Sequence, residues 1–408
     1  MYMKNKNSDN VIYILSHTFA WSKKHIRGSI EERYIIYADL AILSRKSFKL
    51  NWYATTDRTY CQISSSEAVC KSLTILRLLR DMIRSLFAKG YRIYLISYPY
   101  CLGGDLVLKL IVPFLLITIG VIKVFKRNLL IVIDVIDPPI ETAISDNIKA
   151  LSLPKYVFLR ILDILFHKMS SINIVLTSSY KKYFSTIYGV KSSKYEVVPP
   201  PSLCRWINYN PIRIKDSLRI LYSGVCRKER NIDLVIDAIK ELRSEGYNIS
   251  LLITSPLIEM ELPGDIEAIN YPWPDYVEKA LMQADICIIP YPPNKIHYMY
   301  TLVAKCFDYL CAGKPILSTP LGETARIITK HKCGLIFKDK EELKEIIRHL
   351  YRRREKIEEM SRNARKASKQ YCDHILAKKM ALIILNKIKN IQNTERFFFN
   401  NIIANKYS

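Results

Sequence analysis

The sequence lacks the clusters of cysteine, histidine and acidic residues that hold metal ions. Its ten cysteines include no CxxC pair, since Cys306 and Cys311 are the closest two, and its seven histidines are dispersed. No DxD triad stands in a context suited to a cation, so no metal site is expected. The cysteines also follow no disulfide framework, and we expect reduced, mostly buried thiols in a cytosolic protein.

Recognisable targeting, repeat and membrane-spanning segments are also missing. The N-terminus shows no signal-peptide core or cleavage site, and there is no internal repeat or low-complexity stretch. Leu106–Phe125 is apolar, but Lys109, Pro113, Gly120 and Lys123 interrupt it. That pattern predicts a helix that is buried or inserts into a surface, rather than a transmembrane span. We expect a cytoplasmic protein, with peripheral attachment to the inner face of the cell membrane as an open alternative.

Acidic residues are scarce relative to basic ones. The chain has 62 Lys and Arg against 38 Asp and Glu, a formal net charge of +24, and residues 1–200 carry +14 of it, with 28 basic and 14 acidic side chains. Such a field attracts nucleic acid, anionic lipid and phosphorylated substrates alike. A nucleic-acid binder is therefore an alternative, but no RNA or DNA motif and no stripe of interleaved aromatic and basic residues supports it. We expect no nucleic-acid partner and keep an anionic membrane surface as a candidate partner.

What is present is a repeated alternation of apolar strands and helices. A chain of 408 residues is too long for one ordinary core, so two domains are expected. Strand candidates of the first series are Val11–Leu15, Tyr91–Ser97, Leu129–Asp134, Ile172–Thr177 and Glu196–Val198. The second series consists of Arg219–Ser223, Ser250–Thr254, Ile286–Pro290 and Pro315–Ser318. The pattern predicts two Rossmann-like α/β domains, at residues 1–205 and 217–375, followed by a helix and tail at 376–408.

The turn after the first strand of the second domain has the composition of a diphosphate site. Gly224 follows the strand and permits close backbone approach, while Arg227 and Arg230 add positive charge. A helix then begins near Asn231, and its free N–H groups favour phosphate. The alternative is a solvated turn in a basic protein, because one glycine and a basic loop are weak evidence by themselves.

A second turn in this domain adds a lysine and an acid. Lys305 and Asp308 stand three residues apart on a predicted helix that follows the strand Ile286–Pro290, so they share one face. The lysine would neutralise a diphosphate, and the carboxylate would accept hydrogen bonds from the ribose hydroxyls. An ordinary surface Lys–Asp pair is the alternative.

Carboxylates also end a strand of the first domain. Asp134 and Asp137 close the run LLIVIDVID, and Pro138 and Pro139 are expected to stop any helix after it. A carboxylate at this edge would deprotonate or orient an acceptor hydroxyl, whereas capping of the next turn is the alternative. His17, after the first strand, is a fainter catalytic candidate, and a buried structural histidine is the alternative there.

One stretch of the second domain resembles a known family. AKCFDYLCAGKPILSTPLGET is similar to the core signature of retaining glycosyltransferases of the GT-B fold, family 4 and its relatives (glycosyl transferases group 1). YSGVCRKERNIDLVIDAIKEL, ADICIIPYPP and TSSYKKYFSTIYGVKSSKYEVVPPPS resemble other elements of the same family in the same order. The likeness covers roughly residues 129–390, and it leaves open a C-terminal helix that crosses back to the first domain.

The resemblance implies a role for several positions. Arg230 would contact the donor diphosphate, and Asp308 the donor ribose. The other positions it implies for the donor are Thr301 and Lys305 at the mouth of the helix, Gly322 and Glu323 facing the sugar or diphosphate, and Tyr271 and Trp273 near the base. Two departures stand out. Tyr300 occupies the place of a first glutamate, eight residues before Asp308, and no glycine-rich turn follows the first strand.

The activity implied by the resemblance is transfer of a hexose from a nucleoside-diphosphate sugar to an acceptor hydroxyl, with retention of configuration. The acceptor would be lipid-linked or a cell-surface glycan, and no cofactor is required beyond the donor substrate. A catalytically inactive protein of the same fold, binding a sugar nucleotide or glycan, is the alternative that the two departures motivate.

Overall fold

The computed structural model describes most of both predicted domains. The described residues are 10–16, 29–44, 48–54, 59–63, 68–72, 90–98, 128–145, 152–202, 216–271 and 275–404, with short pieces between 77 and 87, 113 and 126, and 207 and 212. Two sheets organise these residues, and their inner strands are fully buried, as expected for parallel strands covered by helices.

The first sheet has eight strands in the order β4-β3-β2-β1-β5-β6-β7-β8. At one edge β3 pairs antiparallel with both β2 and β4, and all other neighbouring strands, including β1 and β2, pair parallel. The ranges are β1 (Val11–Ser16), β2 (Lys49–Ala54), β3 (Thr59–Ile63), β4 (Ala68–Ser72), β5 (Arg92–Tyr98), β6 (Leu129–Val135), β7 (Ile172–Val175) and β8 (Tyr195–Val197).

The second sheet has six parallel strands in the order β11-β10-β9-β12-β13-β14. The ranges are β9 (Leu218–Ser223), β10 (Ile249–Thr254), β11 (Glu267–Ile269), β12 (Ile286–Ile289), β13 (Ile316–Ser318) and β14 (Gly334–Ile336). The strand order reverses between β9 and β12, which is the switch point where ligands of open α/β sheets bind. The prediction of two Rossmann-like domains with parallel sheets is therefore confirmed.

Helices connect and cover the strands. They are α1 (Ser29–Ser44), α2 (Pro139–Ser145), α3 (Leu153–Met169), α4 (Ser178–Ile187), α5 (Ile232–Ser244), α6 (Ile296–Tyr300), α7 (Lys305–Cys311), α8 (Gly322–His331), α9 (Lys340–Arg352), α10 (Arg354–Ser368) and α11 (Asp373–Ala404), and a π-helix spans Tyr276–Leu281. In α5 the apolar side chains recur at helical spacing and are buried, so the amphipathic pattern in the sequence positions this helix on the sheet.

The C-terminal helix returns to the first domain. Met380 and Ile384 of α11 are buried in the same core cluster as Tyr34 and Ile35 of α1, and the two helices pack against each other. The crossing that the resemblance left open is therefore present.

The structure corrects two expectations about local chemistry. Pro138 and Pro139 do not stop a helix, because α2 begins at Pro139, where the missing N–H of proline costs no hydrogen bond. Cys61 and Cys70 form a disulfide, since the β3–β4 register places them directly opposite each other. The expectation of reduced thiols is wrong for this pair, whereas the six other described cysteines are free and buried.

Much of the apolar segment 106–125 lies outside the described residues. Its described positions, 113–114, 117–121 and 123, are helical. Within the part of the chain that the structure covers, no helix has the length and apolar character needed to span a bilayer.

Candidate active site

A cleft of about 640 Å³ lies between the two domains, at the carboxyl ends of their strands. Both domains line it, and seven of the residues singled out from the sequence meet there: Asp137, Gly224, Arg230, Tyr271, Thr301, Lys305 and Asp308. Ligands of open parallel sheets bind at this edge, so the cleft is the candidate active site.

Two cations converge on one tyrosine in the floor of the cleft. Arg230 Nη1 donates to Tyr291 Oη over 3.1 Å, and Lys305 Nζ donates to the same oxygen over 2.6 Å. Lys305 also donates to the carbonyl oxygen of Ser223. Its ammonium lies 4.8 Å from the ring centroid of Tyr222 and 4.9 Å from that of Tyr291. The arrangement holds two positive charges around a single oxygen.

The electrostatics of this cluster show a shortage of negative charge. Burial alone would raise the pKa of Tyr291, but the positive charges of Lys305 and Arg230 outweigh it and lower that pKa to about 8. Burial in turn lowers the pKa of the Lys305 ammonium. An anion with several acceptor oxygens, such as a diphosphate, would satisfy both cations better than one phenol does.

Gly224 is required where the chain meets this cluster. Its φ of +125° lies in the region that favours glycine, and a Cβ at this position would fall 2.4 Å from Lys305 Nζ. The backbone N–H of Gly224 donates to the carbonyl oxygen of Thr254 over 2.9 Å, which fixes the turn. The glycine therefore lets backbone, lysine and ligand approach one another.

Asp308 stands in the first turn of α7, one turn after Lys305. Both side chains line the cleft, and Asp308 is only 4% exposed, so it is not a solvated surface charge. Thr301, which precedes the same helix, is also 4% exposed and lines the cleft. Further along the wall, Tyr271 N donates to Thr254 Oγ1 over 3.3 Å. Trp273 lies outside the described residues.

Asp137 faces these groups from the first domain. Its side chain is 33% exposed, and its Oδ1 lies 3.9 Å from Nε2 of His297, which α6 of the second domain brings across the cleft. The other ring nitrogen of His297 lies 2.9 Å from Tyr180 Oη, a first-domain hydroxyl. The two domains thus place an imidazole beside a carboxylate at the mouth of the cleft.

Two of the predicted site residues do not line the cleft and are held by other side chains. Asp134 is fully buried and accepts from Arg33 Nε and Nη2, each over 2.8 Å, and from Tyr37 Oη over 2.7 Å. Arg227 pairs with Glu259 over 2.9 Å and is not among the residues lining the cleft. These contacts favour structural roles for both, and the catalytic prediction then rests on Asp137. His17 lies outside the described residues.

Glu323 contacts the first domain directly. Its Oε1 accepts from Ser179 N over 3.1 Å, from Ser179 Oγ over 2.7 Å and from Ser178 Oγ over 3.3 Å. The carboxylate therefore satisfies the amino end of α4, a favourable place for negative charge. A Cβ on Gly322 would fall 2.0 Å from the carbonyl oxygen of Met299, so this glycine permits a close backbone approach. Neither residue is among those that line the cleft.

Tyr300, at the position of the expected first glutamate, packs on aromatic side chains. Its ring stacks on Tyr183 with centroids 4.8 Å apart, and it does not line the cleft. Within the described residues, no group of three or more His, Cys, Asp or Glu side chains could hold a metal ion. Metal independence nevertheless stays a prediction, because a cation can also be held by the donor itself.

Sequence reasoning missed Tyr291, His297 and Arg33 as cleft residues. Tyr291 follows a strand directly, at the edge where ligands bind, and this position was the available signal. His297 and Arg33 reach the cleft only because α6 and α1 pack where they do, and nothing in their local sequence marks them.

Comparison with known proteins agrees with this geometry. Residues 206–367 match the model of the family described as Glycosyl transferases group 1. Among solved structures, sucrose-phosphate synthase from Thermosynechococcus elongatus is similar over 93% of this chain and 100% of its own, at 11% identity and a TM-score of 0.63. A comparison with curated proteins gives no match.

Two further solved structures share the fold. HepE from Anabaena, in complex with UDP-glucose, matches 92% of this chain and 99% of its own, at 11% identity and a TM-score of 0.59. WaaG, a glycosyltransferase involved in lipopolysaccharide biosynthesis, has the same coverage at 15% identity and a TM-score of 0.56. The fold is therefore that of GT-B glycosyltransferases. The match over the second domain and the site it builds support nucleotide-sugar-dependent glycosyl transfer.

Proposed function

We propose that this protein transfers a hexose from a nucleoside-diphosphate sugar to an acceptor hydroxyl, with retention of anomeric configuration. The observation that carries the proposal is the convergence of Arg230 and Lys305 on Tyr291 Oη beside Gly224, at the switch point of the second sheet. Two cations that converge on one neutral oxygen of the cleft are suited to a diphosphate leaving group.

The donor would occupy the second-domain side of the cleft. Diphosphate oxygens would take over the hydrogen bonds that Arg230 and Lys305 now give to Tyr291. Asp308, buried one turn further along α7, would accept from the vicinal ribose hydroxyls. The base would lie against Tyr271, where the wall of the cleft is formed by backbone and Thr254.

The acceptor would enter from the first-domain side. Asp137 is the exposed carboxylate there, and His297 stands 3.9 Å from it. We assign Asp137 to orienting the acceptor hydroxyl, with His297 holding the carboxylate in place. The bond between the anomeric carbon and the diphosphate oxygen would break while the acceptor oxygen bonds to that carbon on the same face. The departing diphosphate would take up the proton of the acceptor hydroxyl. The acceptor class we propose is a lipid-linked or cell-surface glycan.

A thermal-shift screen against nucleoside-diphosphate sugars tests this proposal. A ligand that binds the native state raises Tm, and UDP-glucose is the first donor to try because HepE, of the same fold, binds it. We expect a shift with at least one donor and release of free nucleoside diphosphate on incubation. No shift with any donor, for a protein with a cooperative melt, would contradict the proposal.

The second candidate is a catalytically inactive protein of the same fold. It is favoured by Tyr300, which packs against Tyr183 at the position where many members of the resembling family have a glutamate. Slow hydrolysis of the donor in the absence of acceptor separates the two candidates. An inactive homologue would bind the donor and release no nucleoside diphosphate.

A further inference from the structure

A second cavity, of about 400 Å³, opens at the other edge of the first sheet. Leu129 at the start of β6 and Ser171 just before β7 line it, so it lies at the amino ends of strands whose carboxyl ends face the active-site cleft. One strand of this length separates the two cavities by roughly 20 Å. The second cavity is therefore distinct from the donor site.

Four lysines from three parts of the chain converge on this cavity. They are Lys123 and Lys126 before β6, Lys194 before β8, and Lys387 of the C-terminal helix α11. Lys123 Nζ donates to the carbonyl oxygen of Met169 over 2.7 Å, and Lys194 Nζ donates to those of Lys168 and Ser170 over 2.8 and 3.2 Å. The described residues that line the cavity include neither Asp nor Glu. We refer to these four residues and the space they enclose as the lysine pocket.

Three of the four lysines, Lys123, Lys194 and Lys387, act on one another electrostatically. Burial, with the positive charges of Lys194 and Lys387, lowers the pKa of Lys123 to about 8. Burial and the charge of Lys387 also lower the pKa of Lys194. Like charges held together at a partly buried site destabilise the folded state, and a bound anion would remove that repulsion.

We propose that the lysine pocket binds a phosphate group, carried either by a soluble phosphate compound or by a phospholipid headgroup. Phosphate supplies several acceptor oxygens to donors that approach from different elements, which a single carboxylate cannot do as well. Leu129 and Ile391 also line the pocket, and its volume of about 400 Å³ is suited to one headgroup-sized anion rather than to a polymer. Because Lys387 belongs to α11, occupancy would tie the C-terminal helix to the first domain.

The test must separate this pocket from the cationic cluster of the cleft. Arg230→Met serves as the background, because removing this cation is expected to weaken phosphate binding in the cleft. In this background we make two double variants. The pocket double variant carries Lys126→Gln and Lys387→Gln, and the matched control double variant carries Lys191→Gln and Lys389→Gln. The control removes the same charge from exposed positions near the pocket that do not line it.

The first measurement is the rise in Tm on adding inorganic phosphate at constant ionic strength. At about five times Kd we expect a rise of roughly 2 °C in the background and in the control double variant, and less than half of that in the pocket double variant. The second measurement is flotation with vesicles of phosphatidylglycerol and phosphatidylcholine, or of phosphatidylcholine alone.

The two measurements identify the source of the phosphate group. If only the pocket double variant loses the rise in Tm with phosphate, the ligand is a soluble phosphate compound. If only the pocket double variant loses flotation with phosphatidylglycerol vesicles, the ligand is a lipid headgroup. If the pocket and control variants behave alike in both measurements, the proposal is overturned, since the effect of these lysines is then their charge alone.

Discussion

Two arginines of one loop make a sharp test of the donor site. Arg227 and Arg230 are three residues apart and carry the same charge, but Arg227 pairs with Glu259 whereas Arg230 reaches Tyr291 in the cleft. We therefore expect Arg230→Met to weaken binding of the nucleotide sugar and Arg227→Met to leave it nearly unchanged. The pair controls for charge, side-chain type and position along the chain.

The expected magnitude follows from the contacts. Arg230 Nη1 lies 3.1 Å from Tyr291 Oη and its guanidinium carbon 5.1 Å from the tyrosine ring, so the side chain is already held at the place where a diphosphate would bind. A charged hydrogen bond contributes about 1.5–3 kcal/mol, which corresponds to a rise in donor Kd of roughly 10- to 150-fold. For Arg227→Met we expect less than about a threefold change, because an exposed pair with Glu259 contributes little.

Isothermal titration of the donor into each variant measures this difference, and Tm of the free proteins verifies that both remain folded. A second readout is the ionisation of Tyr291, followed by absorbance. Removing Arg230 removes one of the two charges that lower this pKa to about 8, so the titration should move to higher pH. Equal donor affinity for the two variants, or an unchanged affinity in Arg230→Met, would refute the assignment of the diphosphate site.

Four further predictions follow from the site and the charge of the chain. Asp308→Asn should change Tm by less than about 2 °C yet raise the donor Kd about tenfold, from a loss of ~1.4 kcal/mol; an unchanged Kd would return Asp308 to a structural role. Donor affinity should fall as pH rises through about 8, because the Tyr291 phenolate then repels the diphosphate. Tyr291→Phe should abolish that fall, and the same pH profile of donor affinity in the parent and in Tyr291→Phe would contradict this prediction. Turnover should persist in EDTA, and full loss restored by Mg²⁺ or Mn²⁺ would overturn metal independence. The first domain should associate with anionic liposomes in a salt-dependent way, because residues 1–200 carry a net charge of +14 and segment 106–125 is apolar. The absence of flotation at low salt would contradict this prediction.

Much of the donor side could be predicted from the sequence because it is local. Gly224 directly follows β9, Arg230 lies in the turn after it, and Lys305 and Asp308 stand on the helix that connects β12 to β13; the strands themselves are marked by apolar runs. In a parallel sheet all such strand ends lie at one edge, so short-range patterns were enough to bring these residues together. The same logic explains why Tyr291, directly after β12, was within reach of prediction.

Other features depended on contacts between residues far apart in the chain. Arg227 and Arg230 belong to the same turn, and only their distant partners, Glu259 and Tyr291, distinguish them. Asp134 and Asp137 end the same strand, and the sequence does not distinguish them. In the structure Arg33, 101 residues before Asp134, donates hydrogen bonds to both carboxylate oxygens of Asp134.

The sequence by itself therefore determined the two-domain α/β architecture and several of the side chains that line the cleft, because hydrophobic periodicity and strand-end chemistry are properties of short segments. Only the tertiary structure decided which carboxylate lines the cleft, that His297 stands beside it, that Cys61 pairs with Cys70, and that four lysines meet at the far edge of the sheet. Those outcomes depend on register and on helix docking, where a side chain's partner is set by distance in space rather than along the chain.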